Sequence, residues 1–176
     1  IPMQRLVQGD VGSGKTVVAA LSALMAVSSG YQAVMMAPTE LLAEQHYQTF
    51  RNWLEPLGIE VGWCAGKQTT AQRRQVIAAL AAGEINVAVG THALFQDEVT
   101  FNRLGLVIID EQHRFGVHQR MALRDKGKAV DILPHQLVMT ATPIPRTLAM
   151  TAYADLNVSI IDELPPGRQP VTTVVV

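Results

Sequence analysis

The chain is 176 residues long, with 48% hydrophobic residues, a net charge of −1 and one cysteine. That length suits one ordinary domain, and that apolar content suits a buried parallel sheet rather than disorder. The near-zero charge excludes a global basic field, the lone Cys64 excludes an internal disulfide and a Cys-rich zinc site, and no apolar run approaches the roughly 18–20 residues of a membrane span.

Apolar runs alternate with amphipathic stretches, which predicts a βαβ series and an α/β fold: a mostly parallel central sheet flanked by helices. A strand is expected over 6–8. It leads directly into Gly9-Asp10-Val11-Gly12-Ser13-Gly14-Lys15-Thr16, a complete G-x-x-x-x-G-K-[ST] phosphate loop. The glycines free the backbone to curl, so that consecutive N–H groups point at the phosphates of a nucleotide. Lys15 adds a point charge on the phosphate oxygens, and the Thr16 hydroxyl suits a bound magnesium ion. Lys15 is expected to be exposed when no nucleotide is bound. A helix follows over 16–28, with Val17, Leu21, Leu24, Met25 and Ser28 on one face. Its positive end aims at the phosphates.

A strand over 33–37 comes next, then Pro38 and Thr39, with Thr39 as the cap of a helix over 40–53. A strand over 61–64 ends at Cys64, read as a small core residue. A helix over 71–81 is closed by Gly83, and a strand spans 86–89. The strand over 106–110 is wholly apolar until it ends in Asp110 and Glu111. Magnesium-dependent hydrolysis needs such a pair. Asp110 holds the metal through water, and Glu111 orients and deprotonates the attacking water. Strand alternation sends the two side chains different ways, so they can take different roles. An ordinary strand with a polar turn would look the same, and only the intact phosphate loop upstream argues against it. His113 follows at once and is placed to sense the nucleotide. His46, His118 and His135 carry no signal, and neither a zinc-site spacing nor a hydrolase elbow is present.

The last third reads as a helix over 118–125, a strand over 136–140, a helix over 144–153 and a strand over 158–161. Thr140 and Thr142 bracket the end of the penultimate strand, where small hydroxyls can link the acidic site to a neighbouring surface. Pro143 and Pro145 stiffen the turn that follows. Leu164-Pro165-Pro166-Gly167 is the linker candidate, so 1–163 is expected to form one lobe, truncated at its start, and 164–176 a linker and the start of a second. Both ends are expected to be cuts in a longer protein, and with no signal-peptide pattern the chain is expected to be intracellular.

Together these segments resemble the first motor lobe of superfamily 2 helicases and translocases, a RecA-like fold. The motifs come in order across almost the whole chain: 9–16, Ala37-Pro38-Thr39-Glu40-Leu41-Leu42, Val89-Gly90-Thr91-His92, Asp110-Glu111-Gln112-His113 and Thr140-Ala141-Thr142. The stretches Ile109-Asp110-Glu111-Gln112-His113-Arg114-Phe115-Gly116-Val117 and Met139-Thr140-Ala141-Thr142-Pro143-Ile144-Pro145-Arg146 are most similar to the bacterial ATP-dependent DNA helicases that remodel branched DNA. Transcription-repair coupling factors are similar through the same motifs, but carry Phe where this chain has Ser13 and Glu where it has Gln112.

The resemblance implies an ATP- and Mg2+-dependent translocase on forks and Holliday junctions, serving recombination and repair in the bacterial cytoplasm, at the nucleoid. It implies that Gly9–Thr16 binds the nucleotide, that Thr16 and Asp110 hold magnesium, and that Lys15, Asp110 and Glu111 are catalytic. Gln112, His113, Thr140 and Thr142 would couple hydrolysis to motion. Pro38, Thr39, Glu40, Thr91 and His92 would face DNA. The implied partners are a second RecA-like lobe and a branch-binding wedge domain of the same protein, with no membrane. The second-lobe pattern Gln-x-x-Gly-Arg-x-x-Arg is absent from these 176 residues, as is the adenine-recognising glutamine motif. A trans arginine in other nucleoside triphosphatases is worth about 10³–10⁵ in rate, so this stretch alone is expected to be nearly inactive. A nucleotide- or DNA-binding module without chemistry is the reading from another class.

Overall fold

The structure is a computed structural model that describes residues 2–111, 133–143 and 156–162. The helices expected over 118–125 and 144–153, and the linker at 164–167, lie outside the described residues. The other expected elements form, with ends shifted by at most two residues. In chain order they are β1 (Gln4–Gly9), α1 (Lys15–Ser28), β2 (Gln32–Met36), α2 (Glu40–Leu54), β3 (Val61–Cys64), α3 (Thr70–Ala82), β4 (Val87–Gly90), β5 (Leu104–Asp110), β6 (His135–Thr140) and β7 (Asn157–Ile161). Short 3₁₀ turns over Glu55–Leu57 and His92–Phe95 complete the described set.

The strands build one seven-stranded sheet in the order β3-β4-β2-β5-β6-β1-β7. Every pairing among them is parallel. Parallel pairing requires crossovers that cover both faces, and the interior strands are accordingly apolar end to end. β2 and β5 are buried along their whole length. Alternation along them feeds two cores. Ala33, Met35, Leu106 and Ile108 face α1 and α2, where Phe50 and Leu54 pack. Val34, Met36, Val107 and Ile109 face the other way, with Leu80 of α3 and Leu94 and Phe95 of the second 3₁₀ turn. Cys64 is a buried member of that second core.

The caps explain where the helices begin and stop. Thr39 accepts a hydrogen bond from the Leu42 N–H at 3.3 Å, satisfying one first-turn donor of α2. Thr69 and Gln72 close a reciprocal capping box at the start of α3, and Gly83 ends that helix at φ 79°. Buried Gln32 ties α3 to the sheet by donating to the carbonyls of Leu80 and Ile85, at 2.9 and 2.8 Å.

One expectation is overturned. The face of α1 chosen from apolar size, Val17 to Ser28, is not the face that meets the sheet. Leu21 is 55% exposed and Met25 72%, whereas Ala19, Ala20 and Ala23 are buried. Of the chosen set only Leu24 packs against the core. The physical reason is distance. α1 lies against β1, β2 and β5, and alanine lets a helix axis approach closely where leucine would hold it off.

Unfolding experiments check this orientation. Ala23→Leu should destabilise the chain by about 1–3 kcal/mol through overpacking, while Leu21→Ala should stay within about 0.5 kcal/mol of the parent. The reverse order would mean that α1 is rotated.

Candidate functional site

Parallel strands end together. β1 runs out at Gly9, β5 at Asp110 and β6 at Thr140, and the register pairs Gln8 with Thr140 and Asp110 with Met139. β6 alone separates β1 from β5, so the two strand tips lie about 10 Å apart at roughly 4.8 Å per strand. The phosphate loop and the acid pair therefore share one edge of the sheet. Asp110 continues the alternation of Leu106 and Ile108, which directs it to the α1–α2 face on which the loop turns into α1.

The loop is shaped by its glycines. Gly14 caps α1 in the left-handed region at φ 96°, a conformation that glycine adopts without strain. A Cβ on Gly9 would collide with the Ser13 Oγ. That hydroxyl is enclosed and has no hydrogen-bond partner. The Ser13 N–H donates to the Asp10 carbonyl at 3.1 Å, which closes the turn. The Val17 and Val18 N–H groups donate to the Gly14 carbonyl at 3.0 and 3.2 Å, and the N–H groups ahead of them have no acceptor within the helix. Lys15 is half-buried rather than exposed. Its Nζ donates to the carbonyls of Gly9 and Asp10, at 2.6 and 2.7 Å. The ammonium thus rests on the loop's own carbonyls, at the mouth of the cradle. N–H donors, an ammonium, a Thr16 hydroxyl and carboxylate oxygens suit a phosphate chain with a hard divalent cation. The residues present fit a nucleoside triphosphate with magnesium.

Glu111 has a non-glycine backbone in the left-handed region, at φ 52°. Such strain persists where surroundings over-determine it. Here the Ala141 N–H donates to Glu111 Oε1 at 3.0 Å and the Thr140 hydroxyl approaches Oε2 at 3.4 Å. The Thr142 N–H in turn donates to Thr140 Oγ1 at 3.1 Å. The acid after β5 is thus joined to the turn after β6. Gln112 and His113 lie outside the described residues.

The segments expected to face DNA are neighbours as well. β2 and β4 pair, and the Ala37 N–H donates to the Gly90 carbonyl at 3.0 Å, so Pro38–Glu40 and Thr91–His92 emerge side by side. Thr39 and His92 are exposed. Glu40 pairs with Lys67 at 3.3 Å, which brings one further cation to this edge. Thr91 departs from the expectation. It is 2% exposed and its hydroxyl has no partner. Its side chain is enclosed rather than lining the surface.

Three features of the site were missed. His46 lies buried on α2, with Nε2 2.6 Å from Asp110 Oδ2. The backbone N–H of Ala141 meets Glu111, and Lys67 joins Glu40. A histidine in a polar helix has no distinguishing pattern, and a backbone donor has no letter of its own.

A family model described as DEAD/DEAH box helicase matches residues 3–151. The chain is 69% identical over 176 residues to the ATP-dependent DNA helicase RecG of Escherichia coli O157:H7, covering 100% of this chain and 25% of that protein. It is 60% identical over 175 residues to the protein of the same name from Synechocystis sp., covering 99% of this chain and 21% of the relative. A solved structure of RecG bound to a three-way DNA junction superposes with a TM-score of 0.80 at 47% identity, over 97% of this chain and 22% of that one. The Hef helicase domain of Pyrococcus furiosus matches at a TM-score of 0.67 and 21% identity, over 92% of this chain and 35% of that one, a likeness of fold. The chain spans about a quarter of the length of the curated relatives it matches.

The strain at Glu111 can be measured. Both Glu111→Ala and Glu111→Gly remove the carboxylate, but only glycine relieves the left-handed backbone. The glycine variant should be the more stable by about 1 kcal/mol. At an ordinary φ alanine would be favoured by about 0.5–1 kcal/mol, and that sign in unfolding experiments would remove the strain.

Proposed function

Because the chain belongs to the DEAD/DEAH box helicase family, we propose that it is the ATP-binding motor lobe of an ATP-dependent DNA helicase that remodels branched DNA. The observation that carries the reading is the convergence of a complete phosphate loop and an acid pair on one strand edge, with the second acid joined to the turn after β6. The similarity to RecG over the whole chain supports the choice of substrate: one such relative was solved on a three-way DNA junction.

The geometry supports the following roles. The first-turn N–H groups of α1 and the Lys15 ammonium hold the phosphates. Lys15 must leave the Gly9 and Asp10 carbonyls to do so, which keeps the loop closed on itself until a triphosphate competes. Thr16 and Asp110 would hold magnesium, which when bound neutralises charge developing on the phosphate oxygens. Glu111 orients the attacking water and accepts its proton. Its carboxylate is held in place by the Ala141 N–H and by Thr140, so a change of charge at Glu111 is felt in the turn after β6. Thr140 and Thr142, with Gln112 and His113, would pass that change to a second lobe. Pro38, Thr39, Glu40 and His92 would track the DNA backbone, with Lys67 as an added phosphate contact. Contacts of this kind position the strand without reading sequence. Forks and Holliday junctions are the substrates proposed, and the bacterial cytoplasm the place of work. The arginines of a second lobe would complete the site, so these residues alone should turn over little ATP.

The test is made in the full-length protein. Lys15→Ala should lower ATP hydrolysis by at least about 100-fold with an unchanged circular dichroism spectrum. The parent should hydrolyse ATP faster on forked DNA than on linear duplex or single strands. A parent-like rate for Lys15→Ala would remove the assignment of the loop, and equal rates on all three DNAs would remove the branched substrate.

A further inference from the structure

We infer that His46 is a positioning residue that fixes the Asp110 carboxylate for the metal of the nucleotide site. The inference rests on the reading of Asp110 given above. Asp110 is 8% exposed at the tip of an apolar strand, and His46 is 9% exposed on the helix that covers it. Nε2 stands 2.6 Å from Oδ2. An ionised carboxylate only accepts, so the ring nitrogen donates. Burying a carboxylate is unfavourable without a donor of this kind. Among the described residues, Oδ1 has no hydrogen bond. Within the described residues, one oxygen is therefore anchored to the protein and the other stands available for a hydrated cation. Without the anchor, Asp110 could rotate about its side-chain torsions and its two oxygens would exchange.

His46 sits at the second turn of α2, whose body is locked against the sheet by Phe50 and Leu54 and whose start is capped by Thr39. The imidazole is therefore held by a rigid element, as an orienting group must be. Removing a partner that orients a metal-binding carboxylate typically weakens metal affinity or activity by about 10–100-fold.

The experiment titrates Mg2+ into full-length protein with a fluorescent ATP analogue, and repeats the nucleotide titration in EDTA. His46→Ala should raise the half-saturating Mg2+ concentration at least about 10-fold, with nucleotide affinity in EDTA within about twofold of the parent. His46→Gln, which restores an N–H donor at similar reach, should recover most of the shift. If the alanine variant does not fold, His46→Leu fills the space without a donor and is compared with His46→Gln in its place. An unshifted Mg2+ dependence in the donor-less variant, or an equal loss of affinity in EDTA, would overturn the positioning role in favour of plain packing. Asp110→Asn separates the two levels. A shifted Asp110→Asn beside an unshifted His46→Ala overturns only the role of His46, whereas a parent-like Asp110→Asn overturns the metal assignment and this proposal together.

Discussion

Parallel pairing is the constraint from which the site follows. Because every strand of the described sheet runs the same way, every loop at a strand's carboxyl end leaves from one edge. Residues far apart in the chain, at 9–16, 38–40, 91–92, 110–111 and 140–142, are thereby delivered to a single rim. In open α/β sheets ligands bind in crevices along this rim. The order of strands then sorts the rim into two stretches. The groups proposed to hold nucleotide leave from β1, β6 and β5, and those proposed to touch DNA leave from the adjoining β2 and β4. The β2–β5 pairing is the boundary between them.

Within the rim, electrostatics and backbone strain fix the side chains. Lys15 is held by two loop carbonyls, Asp110 by His46, and Glu111 by an N–H from the turn after β6. In the proposed reading a phosphate displaces only the lysine contacts, while the other two hold their carboxylates in place. Glu111 is also held with a left-handed backbone, and a residue in that state has been positioned at the expense of stability. The helix that carries His46 begins at the segment proposed to face DNA. One rigid body therefore touches both stretches of the rim.

Much of this was legible in the sequence, and the reasons differ by element. The phosphate loop is readable because its demands fall on the backbone, and glycine meets them without strain at Gly12 and Gly14. β2 and β5 are readable because strands buried on both faces are apolar throughout. The face of α1 was misread because apolar size was taken as the guide, whereas close packing against a sheet selects the small residues Ala19, Ala20 and Ala23. His46 was silent because its partner lies 64 positions away and the contact exists only once α2 is laid on β5. Thr91 was placed at the surface by its neighbours in the motif, and its burial could not be known before the fold around it was built.

The most direct test is a crystal structure of the protein with Mg2+ and a non-hydrolysable ATP analogue. The account predicts phosphates lying on the N–H groups that open α1, with Lys15 turned from its carbonyls onto them. It also predicts a metal bound to the Thr16 hydroxyl and reached by Asp110 directly or through one water. A nucleotide seated elsewhere, or a metal with no link to Asp110, would contradict it.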